Sequence, residues 1–131
     1  MPTAYLTRVV EFTATHHFPD VPEFAGATHD HNHRYRCAVT VKGMFDPARG
    51  GVMSLNALDV VLKREVVDRL DGRHINKDIA RFAAGTWIAT GEALAVYLWE
   101  LIAPGLPRGV LLHRVRIEEG PHLYSEYRGE P

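Results

Sequence analysis

Alternation of apolar and polar residues predicts two long strands in the first third of the chain. Residues 4–18 and about 33–45 both follow the two-residue period of a strand with one buried face. Residues 19–30 separate them; this segment contains two prolines and has no sustained period, so we expect a loop there. The apolar positions on each strand share a face: Leu6, Val10, Phe12 and Ala14 on the first, and Tyr35, Cys37, Val39 and Val41 on the second.

Apolar residues spaced by three and four positions predict two helices in the middle of the chain. Ser54 and Thr90 precede them as candidate N-caps, and Pro104 stops the second. Residues 71–89 lie between the helices as a long connection, a type of segment that often carries function. The apolar positions are Leu55, Leu58, Val61, Leu62, Val66 and Leu70 in the first helix, and Leu94, Tyr97, Leu98 and Leu101 in the second.

Two final strands, 110–119 and 123–127, are predicted around a turn at Gly120 and Pro121. The order β-β-α-α-β-β predicts a single α+β domain over residues 1–131. It has a four-stranded antiparallel sheet with both helices on one face. Such an open sheet leaves two unpaired edges, which favour pairing with another subunit. We therefore expect a homo-oligomer.

The composition is that of one soluble domain. Of the 131 residues, 46% are hydrophobic and 24% charged, and the net charge of -1 provides no basic field to attract nucleic acid or a membrane. A single cysteine excludes an internal disulfide framework and a multi-cysteine zinc cluster. No apolar run approaches the ~20 residues of a membrane span, and the first residues do not resemble a signal peptide. We expect a cytoplasmic protein without nucleic-acid or membrane partners.

Histidine is the unusual component of this sequence. The chain has eight histidines, and five lie between His16 and His33. His31 and His33 point to one face of the second strand, and His16 continues the apolar face of the first, whereas His17 points away. Three imidazoles with an open fourth position are typical of a catalytic zinc site. An extended backbone also places His29 on the face of His31, so His29 and His31 remain an alternative pair of metal ligands to His31 and His33.

Two segments of the chain resemble the zinc motifs of a known family. Residues 12–16 (Phe-Thr-Ala-Thr-His) and 31–35 (His-Asn-His-Arg-Tyr) resemble the Phe-x-Ala-x-His and His-Gly-His-x-Tyr motifs of the 6-pyruvoyltetrahydropterin and 6-carboxytetrahydropterin synthase family. By this resemblance Tyr35 selects His31 and His33 as the pair. Further matching segments follow in order, at 50–55, 70–76, 90–92, 115–119 and 127–130.

The resemblance implies a fold and a chemistry. The fold is the tunnelling fold, whose subunits close their sheets into a β-barrel, commonly as a homohexamer of two stacked trimers. The implied substrate is 7,8-dihydroneopterin triphosphate or a related pterin, in tetrahydropterin or queuosine-type deazapurine biosynthesis. On matching positions, the implied site is Zn²⁺ held by His16, His31 and His33, the pterin ring held by Glu119, and a substrate-side motif at Thr90 and Glu92. Capping and the helix dipole explain these last two residues equally well.

The residues matching the family's proton-transfer positions differ in this chain. The family's general base is a cysteine four residues before the first histidine of the pair, where this chain has Ala27. Asp71 matches the aspartate of the family's Asp-His pair, but Gly72 replaces the histidine. An alanine cannot accept a proton, so the usual agent of this step is missing.

Three other residues are candidates for the general base that Ala27 cannot provide. His29 is close to the metal ligands along the chain, and a shifted loop would be needed to bring in His74. Cys37 lies ~13 Å beyond His33 on an extended strand and is predicted to be a buried core thiol. The resemblance and these substitutions together imply a zinc-dependent, pterin-binding, lyase-like enzyme with altered proton transfer. The alternative is a non-catalytic pterin-binding paralogue that serves as a carrier, sensor or scaffold.

Overall fold

The computed structural model describes residues 1–131, which form a five-stranded sheet with helices packed on one face. The strand order is β3-β1-β2-β4-β5. The strands are β1 (Thr3–His16), β2 (His31–Met44), β3 (Arg73–His74), β4 (Leu111–Gly120) and β5 (Leu123–Tyr127). The helices are α1 (Leu55–Leu62), α2 (Asp68–Leu70), α3 (Ile75–Asp78), α4 (Ala80–Ala83) and α5 (Gly91–Ile102).

The antiparallel pair of β1 and β2 is the longest feature of the sheet. Its register runs without a break from Thr3 opposite Met44 to His16 opposite His31. Because side chains alternate across a strand, this register sends the predicted apolar positions of both strands to the helix-covered face. The α+β class and the inward faces are therefore confirmed, and the buried apolar residues on these faces are Phe12, Ala14, Tyr35, Cys37, Val39 and Val41.

The structure adds a fifth strand to the four that the sequence predicts. Gly72 turns the chain at a φ of +73° and donates its N–H to the carbonyl oxygen of Thr13 at 2.8 Å. The next two residues then pair in parallel with β1, so that His74 lies beside Thr15. A two-residue strand is too short to produce a detectable alternation. The sequence had predicted an entirely antiparallel sheet, and the parallel pair of β1 and β3 shows that this prediction was wrong.

Several element boundaries also differ from the predicted ones. β1 ends at His16 and not at residue 18, and β2 begins at His31, two residues before the predicted start. The connection over residues 71–89 contains α3 and α4, each of only four residues, which is too short for a helical period to be recognised.

Both predicted caps are present. The Ser54 hydroxyl accepts a hydrogen bond from the N–H of Ala57, and the Thr90 hydroxyl accepts one from Ala93, each at 3.2 Å. Helix α1 continues through a π-helical turn, Lys63–Val67, into α2, so the predicted first helix is present with a local irregularity. None of these helices has both the length and the apolar character needed to cross a bilayer.

Candidate metal and substrate site

Three histidine side chains converge where β1 ends and β2 begins. The register places His16 directly opposite His31, and His33 follows on the same face of β2. Their ring centroids are 4.5 Å (His16–His31), 5.0 Å (His16–His33) and 5.1 Å (His31–His33) apart. One ring nitrogen from each lies within 4.8 Å of the others. The fold thus brings together the three histidines that the sequence singles out as metal ligands.

Backbone carbonyls set the proton positions of two of these imidazoles. The Nδ1 atom of His16 lies 2.9 Å from the carbonyl oxygen of Ala89, and Nδ1 of His31 lies 2.9 Å from that of His29. A carbonyl only accepts, so each Nδ1 carries the proton and each Nε2 keeps a free lone pair. The Nε2 atom of His16 is buried without a protein partner. Such a tautomer, with the second nitrogen held by an outer acceptor, fits a metal ligand.

Burial favours the neutral form of His16 and His33, which is the form that binds a metal. Removal from water is the largest cause that lowers the pKa of His16 to about 4; the neighbouring histidines act in the same direction, and the hydrogen bond to Ala89 opposes them. Burial also lowers the pKa of His33, with His31 as the second cause. Three neutral imidazoles suit a borderline divalent ion such as Zn²⁺. The residues present therefore fit a zinc ion.

Aromatic side chains surround the buried histidine. Phe18 meets the His16 ring edge-on at 4.8 Å, and the hydroxyl oxygen of Tyr35 lies 3.3 Å from Nδ1 of His16. Phe12 stacks on Tyr35 at 4.9 Å. These contacts restrict the rotation of the imidazole and exclude water from one side of it. Phe18 was not among the predicted site residues, although the strand predicted over residues 4–18 includes it on the same face as His16.

A half-buried carboxylate lies beside the histidines. Burial raises the pKa of Glu119, the charge of Glu92 raises it further, and His31 acts in the opposite direction. A Cβ on Gly91 would lie 3.7 Å from the Glu119 carboxyl carbon and 2.9 Å from Oγ of Ser125, so a larger residue would have to displace the Ser125 hydroxyl. The Ser125 hydroxyl donates to Glu92 at 3.3 Å. The end of β4, the middle of β5 and the start of α5 therefore meet beside Glu119.

Two other predicted site residues make structural contacts. The Thr90 hydroxyl accepts the N–H of Ala93 as the N-cap of α5. The Asp71 carboxylate accepts the backbone N–H of Thr13 at 2.9 Å, at the edge of β1. Capping therefore accounts for Thr90, and within one chain the hydrogen bond of Asp71 is made to the sheet backbone.

The candidates for a general base occupy different places. His29 is exposed, with its ring 6.3 Å from that of His31. His74 instead contacts Asp30 and His17. Its partner in the sheet is Thr15, so it lies on the face of β1 opposite His16.

The Cys37 thiol is buried in the core, as the sequence predicts, and burial raises its pKa to about 12. The carbonyl oxygen of Ala27 accepts the N–H of Phe18 at 3.1 Å, and Phe18 packs against His16. The thiol of this chain is therefore inside the core, and position 27, near the three histidines, has no ionisable side chain.

A single chain does not enclose a substrate at this site. Its five cavities have volumes of about 260 to 460 Å³, and none is lined by His16, His31, His33 or Glu119. The largest lies between the start of β1 and Ser54. The candidate site is thus an open surface in the isolated chain.

Comparisons with known proteins agree with this architecture. The family model described as "6-pyruvoyl tetrahydropterin synthase" matches residues 5–130. The chain is 33% identical to the 6-pyruvoyl tetrahydrobiopterin synthase of Drosophila melanogaster, covering 98% of this chain and 81% of the relative. It is 35% identical to that of Poecilia reticulata, covering 96% and 90%. The solved structure of Caenorhabditis elegans 6-pyruvoyl tetrahydropterin synthase superimposes with a TM-score of 0.86 at 28% identity, covering 99% of this chain and 98% of that one.

Proposed function

The chain belongs to the 6-pyruvoyl tetrahydropterin synthase family, and on that basis we propose that it is a zinc-dependent, lyase-like enzyme acting on 7,8-dihydroneopterin triphosphate or a related pterin. The observation that carries the proposal is the position of Glu119, a half-buried carboxylate beside three converging imidazoles. One part of the site can bind a ring edge and the other can bind a metal ion.

His16, His31 and His33 would hold the ion. The buried lone pair on Nε2 of His16 supports this assignment, because an unpartnered buried nitrogen is costly unless a ligand uses it. A bound zinc ion would polarise the side-chain oxygens of the substrate as a Lewis acid.

Glu119 would orient the pterin. A carboxylate can accept two parallel hydrogen bonds from the amino group and the adjacent ring N–H of a pterin. The pKa of Glu119 is raised in the free protein, and such a pair of donors would stabilise its ionised form. Glu92 and Thr90, at the start of α5, would border the same substrate.

Proton transfer would differ from that of relatives with a catalytic cysteine. Ala27 has no ionisable group, and the Cys37 thiol is buried with a pKa of about 12. His29 is the candidate base that lies on the metal side of β1. Asp71 and His74 make other contacts within the chain and would reach a reacting substrate only from a neighbouring subunit.

The same absence of an accessible thiol favours a second candidate function. A protein that keeps the metal and ring contacts without a competent base would bind a reduced pterin as a carrier, sensor or scaffold. Incubation of the zinc-loaded protein with 7,8-dihydroneopterin triphosphate, followed by mass analysis of the products, separates the two. Loss of turnover in His29→Ala, with His122→Ala as an exposed-histidine control, supports the enzyme with His29 as its base. Binding without any product supports the second function.

We further propose that the protein works as a homo-oligomer, a hexamer by family resemblance, in the cytoplasm. β1 is paired with β3 only at residues 14 and 15, so its remaining length is an open edge, and β5 forms the other edge. Pairing of these edges between subunits would cover unpaired backbone groups and add walls to the open site. Light scattering at micromolar concentration tests this, and a monomer contradicts it.

A further inference from the structure

A second cluster of ligand-type side chains lies on the opposite face of β1 from the three histidines. It consists of His17, Asp30 and His74, and one ligand atom from each lies within 4.8 Å of the others. A single carboxylate oxygen of Asp30 is 2.8 Å from Nδ1 of His17 and 2.9 Å from Nε2 of His74. The imidazole ring centroids are 5.4 Å apart.

The sheet register explains why these residues meet. β1 pairs with β2 up to His16 opposite His31, so the next position outward places His17 opposite Asp30. The parallel pairing of β3 with β1 then brings in His74. Three separate segments of the chain thus supply one donor each.

Backbone hydrogen bonds anchor two of the donors. The side-chain amide of Asn76 accepts the N–H of His17 at 2.9 Å and donates to its carbonyl oxygen at 3.0 Å. The Asp78 carboxylate accepts the N–H of His74 at 2.8 Å. The histidine backbones are therefore held in place without a ligand, as a preorganised binding site requires.

We propose that His17, Asp30 and His74 form a second site for a divalent transition-metal ion such as Zn²⁺, independent of the three-histidine centre. Two imidazoles and one carboxylate are a common donor set for such ions and leave coordination positions open to water or a ligand. Donor atoms around a tetrahedral ion are ~3.3 Å apart, so each of the two hydrogen-bonded distances to Asp30 needs to open by only a few tenths of an ångström.

Charge and exposure favour binding at this cluster. Asp30 brings a carboxylate oxygen, which attracts a cation, into direct contact with both imidazoles. About half of the Asp30 side chain is exposed, which gives an ion access from solvent.

The surroundings of His74 make this the weaker of the two sites. A metal at Nε2 moves the imidazole proton to Nδ1, and that atom is buried without a hydrogen-bond partner. In the three-histidine centre, the Nδ1 protons of His16 and His31 have carbonyl acceptors. Loss of such an outer partner costs about 10- to 100-fold in metal affinity.

Calorimetric titration of the metal-free full chain with Zn²⁺ tests the proposal. We expect two binding steps that differ by ~10-fold or more in affinity. His74→Ala and the isosteric Asp30→Asn should each lose the weaker step and keep the tighter one. His16→Ala should lose the tighter step and keep the weaker one, so this site is measured even if the three-histidine assignment fails. Circular dichroism checks that each variant is folded.

His122→Ala is the matched control, because His122 is an exposed histidine in the turn before β5. It should retain both steps. The proposal is overturned if no binding step of the unchanged protein is lost in both His74→Ala and Asp30→Asn, and the cluster is then an aspartate-bridged histidine pair.

Discussion

The imidazole of His16 donates a 2.9 Å hydrogen bond to the carbonyl oxygen of Ala89, a residue 73 positions later in the chain. This contact joins the end of β1 to the residue before Thr90, the N-cap of α5. It sets the tautomer of a candidate metal ligand and, at the same time, holds the start of the helix that carries Gly91 against Glu119. The metal-binding and ring-binding parts of the candidate site are therefore positioned together.

Metal content should distinguish two adjacent histidines. His16→Ala should lose most of the tightly bound zinc, about one equivalent per chain in the unchanged protein, because it removes one of three ligands. His17→Ala should keep that zinc after exhaustive dialysis, since His17 lies on the other face of β1. Atomic emission measures both. Equal zinc content in the two variants contradicts the assignment.

The metal-free protein should lose stability as the pH falls below 6.5. The pKa of His16 is about 4 when folded and 6.5 in its reference state, so the unfolded chain binds more protons between these values. The contribution of neutral His16 to the free energy of unfolding is fully present above pH 6.5. It is lost as the pH falls towards 4, which lowers the free energy of unfolding by about 3 kcal/mol.

Urea unfolding at pH 7 and pH 4.5 measures this effect. The His16→Gln variant is the control, because glutamine does not titrate while the carboxylates of the chain respond as before. The unchanged protein should show the larger loss in the free energy of unfolding. The same pH dependence in both proteins would rule out a buried neutral His16.

Pterin binding should depend on one of two adjacent glutamates. Glu119→Ala should weaken the binding of a reduced pterin by ~100-fold or more, because two charge-assisted hydrogen bonds are lost. Glu118→Ala should leave binding nearly unchanged, since its carboxylate pairs with Arg36 and Arg116 on the other face of β4. Fluorescence titration compares them. A similar loss in both variants means that Glu119 does not hold the ring.

The native Cys37 thiol should resist alkylation. It is completely buried, and its pKa of about 12 leaves almost no thiolate at pH 8. Iodoacetamide should label it only in denaturant, as measured by intact mass. Ala27→Cys should add one thiol that is labelled without denaturant. Rapid labelling of the unchanged native protein would show that Cys37 is accessible.

The same Ala27→Cys variant tests proton transfer. Pterin binding should change little, because the proposed contacts of the pterin are made by Glu119 and by the zinc on the three histidines. Neither contact involves a side chain at position 27. A positioned base typically contributes 10²–10⁴-fold to a rate, so turnover should rise if the thiol alone is limiting. Turnover that is already present and is not improved indicates another base, and His29→Ala and His74→Ala then identify it.

Restoring a histidine at position 72 should be costly. Gly72 has a φ of +73°, a left-handed conformation that a side chain disfavours, although nothing lies within 4 Å of its would-be Cβ. Gly72→His should therefore lower the free energy of unfolding by ~1–2 kcal/mol through the backbone alone. Gly72→Asn should cost less, because asparagine tolerates this region. Thermal unfolding compares the two, and equal stability of all three proteins contradicts the argument.

Local periodicity was sufficient for the inward faces of β1 and β2. A two-residue alternation depends only on the backbone of one strand, so it placed His16, His31 and His33 on one face and Cys37 in the core. The caps at Ser54 and Thr90 were equally readable, because a cap bonds to a residue three positions away. The α+β class followed from the order of such elements.

Tertiary structure alone decided which distant residues meet. The bond from His16 to Ala89, the approach of Gly91 to Glu119 and the contact of Asp30 with His74 each join segments that no local period relates. β3 exists because the turn at Gly72 returns the chain to β1, not because two residues carry a strand pattern. Such contacts depend on how the connections close and how the helices pack against the sheet. Only the folded chain specifies these relationships.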